Sequence, residues 1–132
     1  AGRTYTDWPL MAGGILPPDP FGLEPLWRNF FEEPGLVQFL HRMTGYALLL
    51  LGLAAWLIGR RSVHPRTRGA FSVAMAVLAF QVVLGIVTVL YAAPWPLAIL
   101  HQLTAVAFWA AIIRARHRAA YPVASSVREG LR

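Results

Sequence analysis

The chain has 132 residues, 57% of them hydrophobic and 14% charged, whereas about a quarter of the residues in a typical soluble domain are charged. Its net charge of +6 is the kind of balance that nucleic-acid-binding domains carry, but long uncharged apolar runs predict a membrane protein with no nucleic-acid partner. It contains no cysteine, which excludes disulfides and thiolate metal sites.

The first 34 residues predict a loop on the outer, periplasmic side. They are rich in proline and glycine, as in the run PPDPFG at 17–22, which prevents long regular elements. Trp27, Phe30 and Phe31 would share one side of a short helical turn. That segment either lies at the bilayer surface or is a plain loop with scattered aromatic residues, and both interpretations stay open.

Three apolar runs predict three membrane-spanning helices, so the fold class is an all-α transmembrane helical bundle. The expected helices cover residues 35–59, 69–91 and 97–113. The second run has no charged residue, and its length suffices to span a bilayer with some tilt. Residues 35–118 would form the membrane part, and residues 119–132 a polar tail.

The arginines predict how the spans are oriented. Nine of the twelve basic residues follow the first span, either in the 60–68 loop or after residue 113, whereas all acidic residues except Glu129 precede it. By the positive-inside rule, the tail is then cytoplasmic. We expect a multi-pass protein of the bacterial inner membrane, or alternatively of the mitochondrial inner membrane. The outer loop has no apolar segment ahead of it, so we also expect the chain to be the C-terminal part of a larger protein.

Two histidines interrupt otherwise apolar helices, where a polar side chain needs a specific function. His41 and His101 lie on helices predicted to run parallel, about 9 and 6 Å from their outer ends at 1.5 Å per residue. Two imidazoles at one depth are what a six-coordinate heme requires. A zinc or copper site would need further ligands, and the sequence places none at this depth. The alternative is that each histidine is an interfacial polar group with a local hydrogen bond.

The residues around this pair are candidates for contacts with the same heme. Gly45, one turn after the first histidine, and Gly85, on the second helix, would leave room for a flat macrocycle. Arg42 would either bind a heme propionate or extend to the lipid headgroups. Gln38 and Gln102 would orient an imidazole or hydrogen-bond each other. No catalytic residue is predicted, because no acidic residue lies inside a span.

Five motifs, spread over the loop, the aromatic segment and all three helices, resemble the last third of the heme A synthase family. They are residues 1–11 (AGRTYTDWPLM), 27–32 (WRNFFE), 38–42 (QFLHR), 81–88 (QVVLGIVT) and 100–102 (LHQ). The resemblance implies part of an eight-span oxidoreductase with two similar halves, which converts the methyl group of heme O to the formyl group of heme A for cytochrome oxidase. It also implies that His41 and His101 are the axial ligands of heme b in the C-terminal pocket.

The resemblance implies partners as well. The family's other half is not in this chain, so the missing N-terminal half would be its first partner, with heme O as substrate of the whole enzyme. Membrane lipid, heme O synthase and oxidase-assembly proteins are further expected partners. Catalysis is expected of the parent enzyme and is uncertain for this chain alone. Two alternatives remain open: a bis-histidine cytochrome b-type electron-transfer subunit, and a structural or assembly subunit without a cofactor.

Overall fold

The computed structural model describes residues 3–122, and within that range the chain is all-helical. A 3-10 turn at Leu26–Arg28 leads into the short helix α1 (Asn29–Glu32). Three helices of 26 residues each follow: α2 (Pro34–Gly59), α3 (Pro65–Leu90) and α4 (Trp95–Ala120). All three are long and apolar enough to cross a membrane. The predicted all-α fold with three candidate spans is confirmed.

The long helices extend beyond the predicted spans where charged residues begin. Helix α3 starts four residues before the expected residue 69, because Pro65 suits the first position of a helix. Helix α4 continues seven residues past the expected residue 113, through a run of arginine and alanine that favours helix. The sequence pattern marked the end of the apolar run, which differs from the end of the helix. Most of the predicted cytoplasmic tail, from residue 123, lies outside the described residues.

Local contacts fix where α2 begins and where α3 ends. The Glu33 carboxylate accepts hydrogen bonds from the backbone N–H groups of Gly35, at 3.0 Å, and Leu36, and so caps the start of α2. After α3, Ala92 and Ala93 both adopt left-handed backbone angles, and the Ala93 N–H donates to the Thr88 carbonyl at 2.7 Å. This turn satisfies a carbonyl at the end of α3 and leads directly into α4.

The backbone forms two compact units. The first, which we call the histidine unit, comprises residues 3–47 and 83–101 of the described chain. Its buried side chains include Met11, Leu36 and Leu84, together with the polar Asn29 and Gln38. The second, the arginine unit, comprises residues 48–82 and, among the described residues, 102–122. Its buried side chains are those of three alanines, one leucine, one phenylalanine and two threonines, namely Ala70, Ala74, Ala115, Leu78, Phe108, Thr67 and Thr104.

Candidate functional site

The histidine unit brings together the two histidines that the sequence singled out. His41, on α2, and His101, on α4, are sixty positions apart in the chain, yet their ring centroids lie 6.2 Å from each other. The ring planes are inclined at 77°. The His41 side chain is exposed and that of His101 is partly buried. The pair is therefore accessible from outside the described chain.

The spacing of the rings fits one metal ion between them. A metal about 2.0 Å from one nitrogen of each imidazole, with the two nitrogens facing each other, places the two centroids about 6.2 Å apart, given about 1.1 Å from centroid to nitrogen. The observed separation of 6.2 Å matches this value. Two axial imidazoles can take any mutual twist about the line through the metal, so the 77° inclination is compatible with coaxial ligation. Among residues 3–122, no group of three or more His, Cys, Asp or Glu side chains could hold a metal.

Gly85 fixes the position of the second imidazole. A Cβ atom at Gly85 would lie 2.8 Å from Cε1 of His101 and 3.5 Å from its Nδ1 atom. Any side chain at this position of α3 would have to push the ring away. The sequence placed Gly85 at the depth of the histidines, and the structure adds that its missing side chain is what admits the His101 ring.

Gly45 leaves open space on the His41 side. A Cβ atom at Gly45 would meet no other atom within 4 Å. The positions of Gln38, His41, Arg42 and Gly45 follow the spacing i, i+3, i+4, i+7, which puts all four on one face of α2. The face thus has an open part at His41 and Gly45, where a flat ligand could approach the backbone.

The other part of this face binds the N-terminal loop. Arg42 is only 8% exposed, and its guanidinium donates to the carbonyls of Asp7 at 2.9 Å, Leu10 at 3.0 Å and Tyr5 at 3.3 Å. Gln38, one turn earlier and 1% exposed, donates to the Tyr5 carbonyl at 2.6 Å. It also accepts from the Tyr5 N–H at 3.2 Å. We call this set of contacts the loop clamp.

The loop clamp has a further contact one turn along α2. The Trp8 indole N–H donates to the Tyr46 hydroxyl at 3.0 Å. The sequence predicted either a propionate or the lipid headgroups as the partner of Arg42. The structure shows its terminal nitrogens on loop carbonyls, while its Nε atom is buried with no hydrogen-bond partner. Sequence reasoning missed the clamp, and the only signal available was an arginine placed inside an apolar run.

Gln102 and the other two histidines of the chain are not part of the ring pair. Gln102 follows His101 on α4, and its side chain is exposed. His64 precedes α3 and His117 belongs to the last turn of α4, where its ring packs 5.1 Å from that of Tyr121. The aromatic segment forms a 3-10 turn and a short helix, and Trp27 and Phe31 are 61% and 75% exposed.

The family profile and the similar proteins indicate the same family. The profile of the family described as cytochrome oxidase assembly protein matches residues 1–113. The heme A synthases of Ruegeria pomeroyi, Dinoroseobacter shibae and Roseobacter denitrificans are 65%, 63% and 59% identical to the chain over 97% of its length. The chain spans about a third of the length of these curated relatives, 34%, 33% and 34% respectively. No solved structure matches it.

Proposed function

The chain belongs to the cytochrome oxidase assembly protein family, and from that premise we propose that it is the heme b-binding, C-terminal part of a heme A synthase. His41 and His101 would be the residues that hold its iron. The observation that carries this proposal is the ring pair, whose 6.2 Å spacing suits a single iron between two imidazoles. The relatives that support it are named heme A synthase, and each is about three times as long as the chain.

Each residue of the site then has a definite task. His41 and His101 would hold the heme iron, and Gly85 keeps the His101 ring in place by leaving room for it. Gly45 would provide open surface for a flat macrocycle. Gln38 and Arg42 fix the N-terminal loop on the same helix face.

The ligand set indicates what kind of chemistry the site supports. A heme bound by both histidines has no vacant coordination position, so it would supply one-electron transfer. We therefore assign this part of the protein to electron transfer or structural support, and the oxidation of the heme O methyl group to the part of the enzyme outside this chain. The whole protein would act in a bacterial or mitochondrial inner membrane, with heme O synthase and oxidase-assembly proteins as partners.

The absorption spectrum of the purified full-length protein tests the ligands. We expect His41→Ala and His101→Ala each to lose the low-spin Soret and α-band intensity of this heme, with a matching fall in heme content. The control is His117→Ala, which removes a histidine from the other end of α4 and should leave both unchanged. Spectra and heme content identical to wild type in both site variants would overturn the assignment and leave the rings as an edge-to-face pair.

A further inference from the structure

A small cavity in the arginine unit lies where two membrane-spanning helices leave their apolar runs. It has a volume of about 110 Å³ and is lined by Gly69, Ala70 and Val73 of α3 and by Ala111, Arg114 and Arg118 of α4. We call it the arginine pocket. Its lining combines small or apolar residues with two arginines one helical turn apart on α4. A water molecule occupies about 30 Å³ in the liquid, so the cavity has room for a group the size of a phosphate.

Hydrogen bonds hold the two sides of the pocket together. The Thr67 hydroxyl, 3% exposed, donates to the Arg118 carbonyl at 3.1 Å. The Arg118 guanidinium also contacts the Arg66 carbonyl at 3.4 Å. These bonds tie the first turn of α3 to the last turns of α4, so the pocket is formed by fixed backbone.

The charges around the pocket lack a counter-ion in the sequence. No acidic residue occurs between Glu33 and Glu129, a stretch that contains the whole described part of the arginine unit. That part carries seven arginines: 60, 61, 66, 68, 114, 116 and 118. Like charges four residues apart on a helix repel each other, so an anion between Arg114 and Arg118 would remove an existing penalty.

We propose that the arginine pocket binds the phosphate group of an anionic phospholipid, with Arg114 and Arg118 as its ligands. The apolar wall of Val73 and Ala111 continues from the guanidinium groups into the membrane-spanning part of the helices, where acyl chains would lie. Basic pockets between membrane helices are established as sites for anionic headgroups in other proteins. This inference is independent of the heme site, because none of its residues belongs to the histidine unit.

Native mass spectrometry of the detergent-purified full-length protein tests the pocket, with phosphatidylglycerol as probe and phosphatidylcholine as neutral comparison. We expect R114Q/R118Q to bind phosphatidylglycerol roughly 30-fold more weakly, from the usual contribution of two basic residues near an anionic lipid. The matched control is R61Q/R116Q, which removes two charges that do not line the pocket and should weaken binding much less than R114Q/R118Q does.

A second variant tests the space inside the pocket without changing the net charge of the protein. A Cβ atom at Gly69 would meet nothing within 4 Å, so G69L adds a side chain at the pocket without a clash. Because leucine also favours helix more than glycine does, the variant should fold. We expect it to weaken phosphatidylglycerol binding while keeping every arginine.

Four results would overturn the proposal. They are equal binding of phosphatidylglycerol and phosphatidylcholine, an equal loss in R61Q/R116Q and R114Q/R118Q, and unchanged binding in G69L. The fourth is displacement of phosphatidylglycerol by inorganic phosphate, which would identify a site for the free anion.

Discussion

In the histidine unit, a buried arginine and a buried glutamine hydrogen-bond to the backbone of a distant loop, whereas in the arginine unit most buried side chains are apolar and the buried Thr67 links α3 to α4. Arg42 and Gln38 are 8% and 1% exposed, and both contact residues more than thirty positions away. In the arginine unit, Leu78 and Ala115 are 1% and 0% exposed. The same kind of helix thus serves two purposes: it holds a defined site in one unit and packs by shape in the other.

The two units also differ in the kind of side chain that fills the space beside a glycine. In the histidine unit, the missing side chain of Gly85 makes room for an imidazole. In the arginine unit, Gly52 and Gly59 make room for the apolar side chains of Leu78 and Phe71. Small residues allow helices to approach in membranes generally, but at Gly85 the space is taken by a titratable ring.

Removing Arg42 should have the largest effect on stability. Arg42→Met abolishes four hydrogen bonds from a buried cation to loop carbonyls, and bonds to charged groups contribute about 1.5–3 kcal/mol each when they are buried. Since such losses do not add, we expect a total of about 3 kcal/mol. Unfolding in detergent, together with the rate at which protease cleaves the N-terminal loop, measures it.

The control for Arg42 lies in the other unit. Arg116→Gln also removes one guanidinium, but from an exposed position on α4, so it should change stability by no more than about 0.5 kcal/mol. Equal effects of the two substitutions, with no faster cleavage of the loop in Arg42→Met, would contradict the contrast between a clamp residue and a surface charge.

Two glycine substitutions should act in opposite directions. Gly85→Ala puts a methyl group 2.8 Å from Cε1 of His101, and relieving such a clash costs about 1–3 kcal/mol. Gly69→Ala fits without a contact, and should stabilise α3 by about 0.5–1 kcal/mol through helix propensity. Thermal unfolding shows whether each substitution stabilises or destabilises the protein. Gly85→Ala should also shift the Soret band. A stabilising Gly85→Ala with an unchanged spectrum would show that this glycine does not position the ring.

The smallest effect should come from the exposed ion pair in the aromatic segment. Arg28 donates to Glu32 at 2.5 Å, and this hydrogen bond lowers the pKa of Glu32 below its ordinary value of 4.5. A group whose pKa is lower in the folded state stabilises above its ordinary pKa, and that contribution disappears as the pH falls through the lowered value. Both side chains are solvated, so the loss of this contribution should hardly change the free energy of unfolding.

Titration of the Glu32 carboxylate by NMR detects the shift directly. In Arg28→Gln the pKa of Glu32 should rise toward its ordinary value, while the free energy of unfolding stays the same. An unchanged Glu32 titration would show that the pair does not form in solution. A large loss of stability would mean that the histidine unit depends on surface charges as well as on its buried contacts.

The features that the sequence predicted are those that depend on one helix at a time. Composition and apolar length predicted three spans, and counting residues from the helix ends placed His41 and His101 at one depth. The loop clamp could not be predicted in this way, because Arg42 and its carbonyl partners are 32–37 residues apart and backbone carbonyls leave no trace in residue identity. For the same reason the sequence predicted only the membrane depth of Gly85, whereas its contact with His101 is seen only in the structure.

Electron paramagnetic resonance of the oxidised full-length protein tests the central claim most directly. If one iron is held between His41 and His101, the 77° inclination of the rings predicts a strongly anisotropic low-spin signal, since perpendicular axial imidazoles leave the iron d orbitals nearly degenerate. That signal should disappear in both His41→Ala and His101→Ala and persist in His117→Ala. A low-spin spectrum identical in the wild type and in both site variants would contradict the claim.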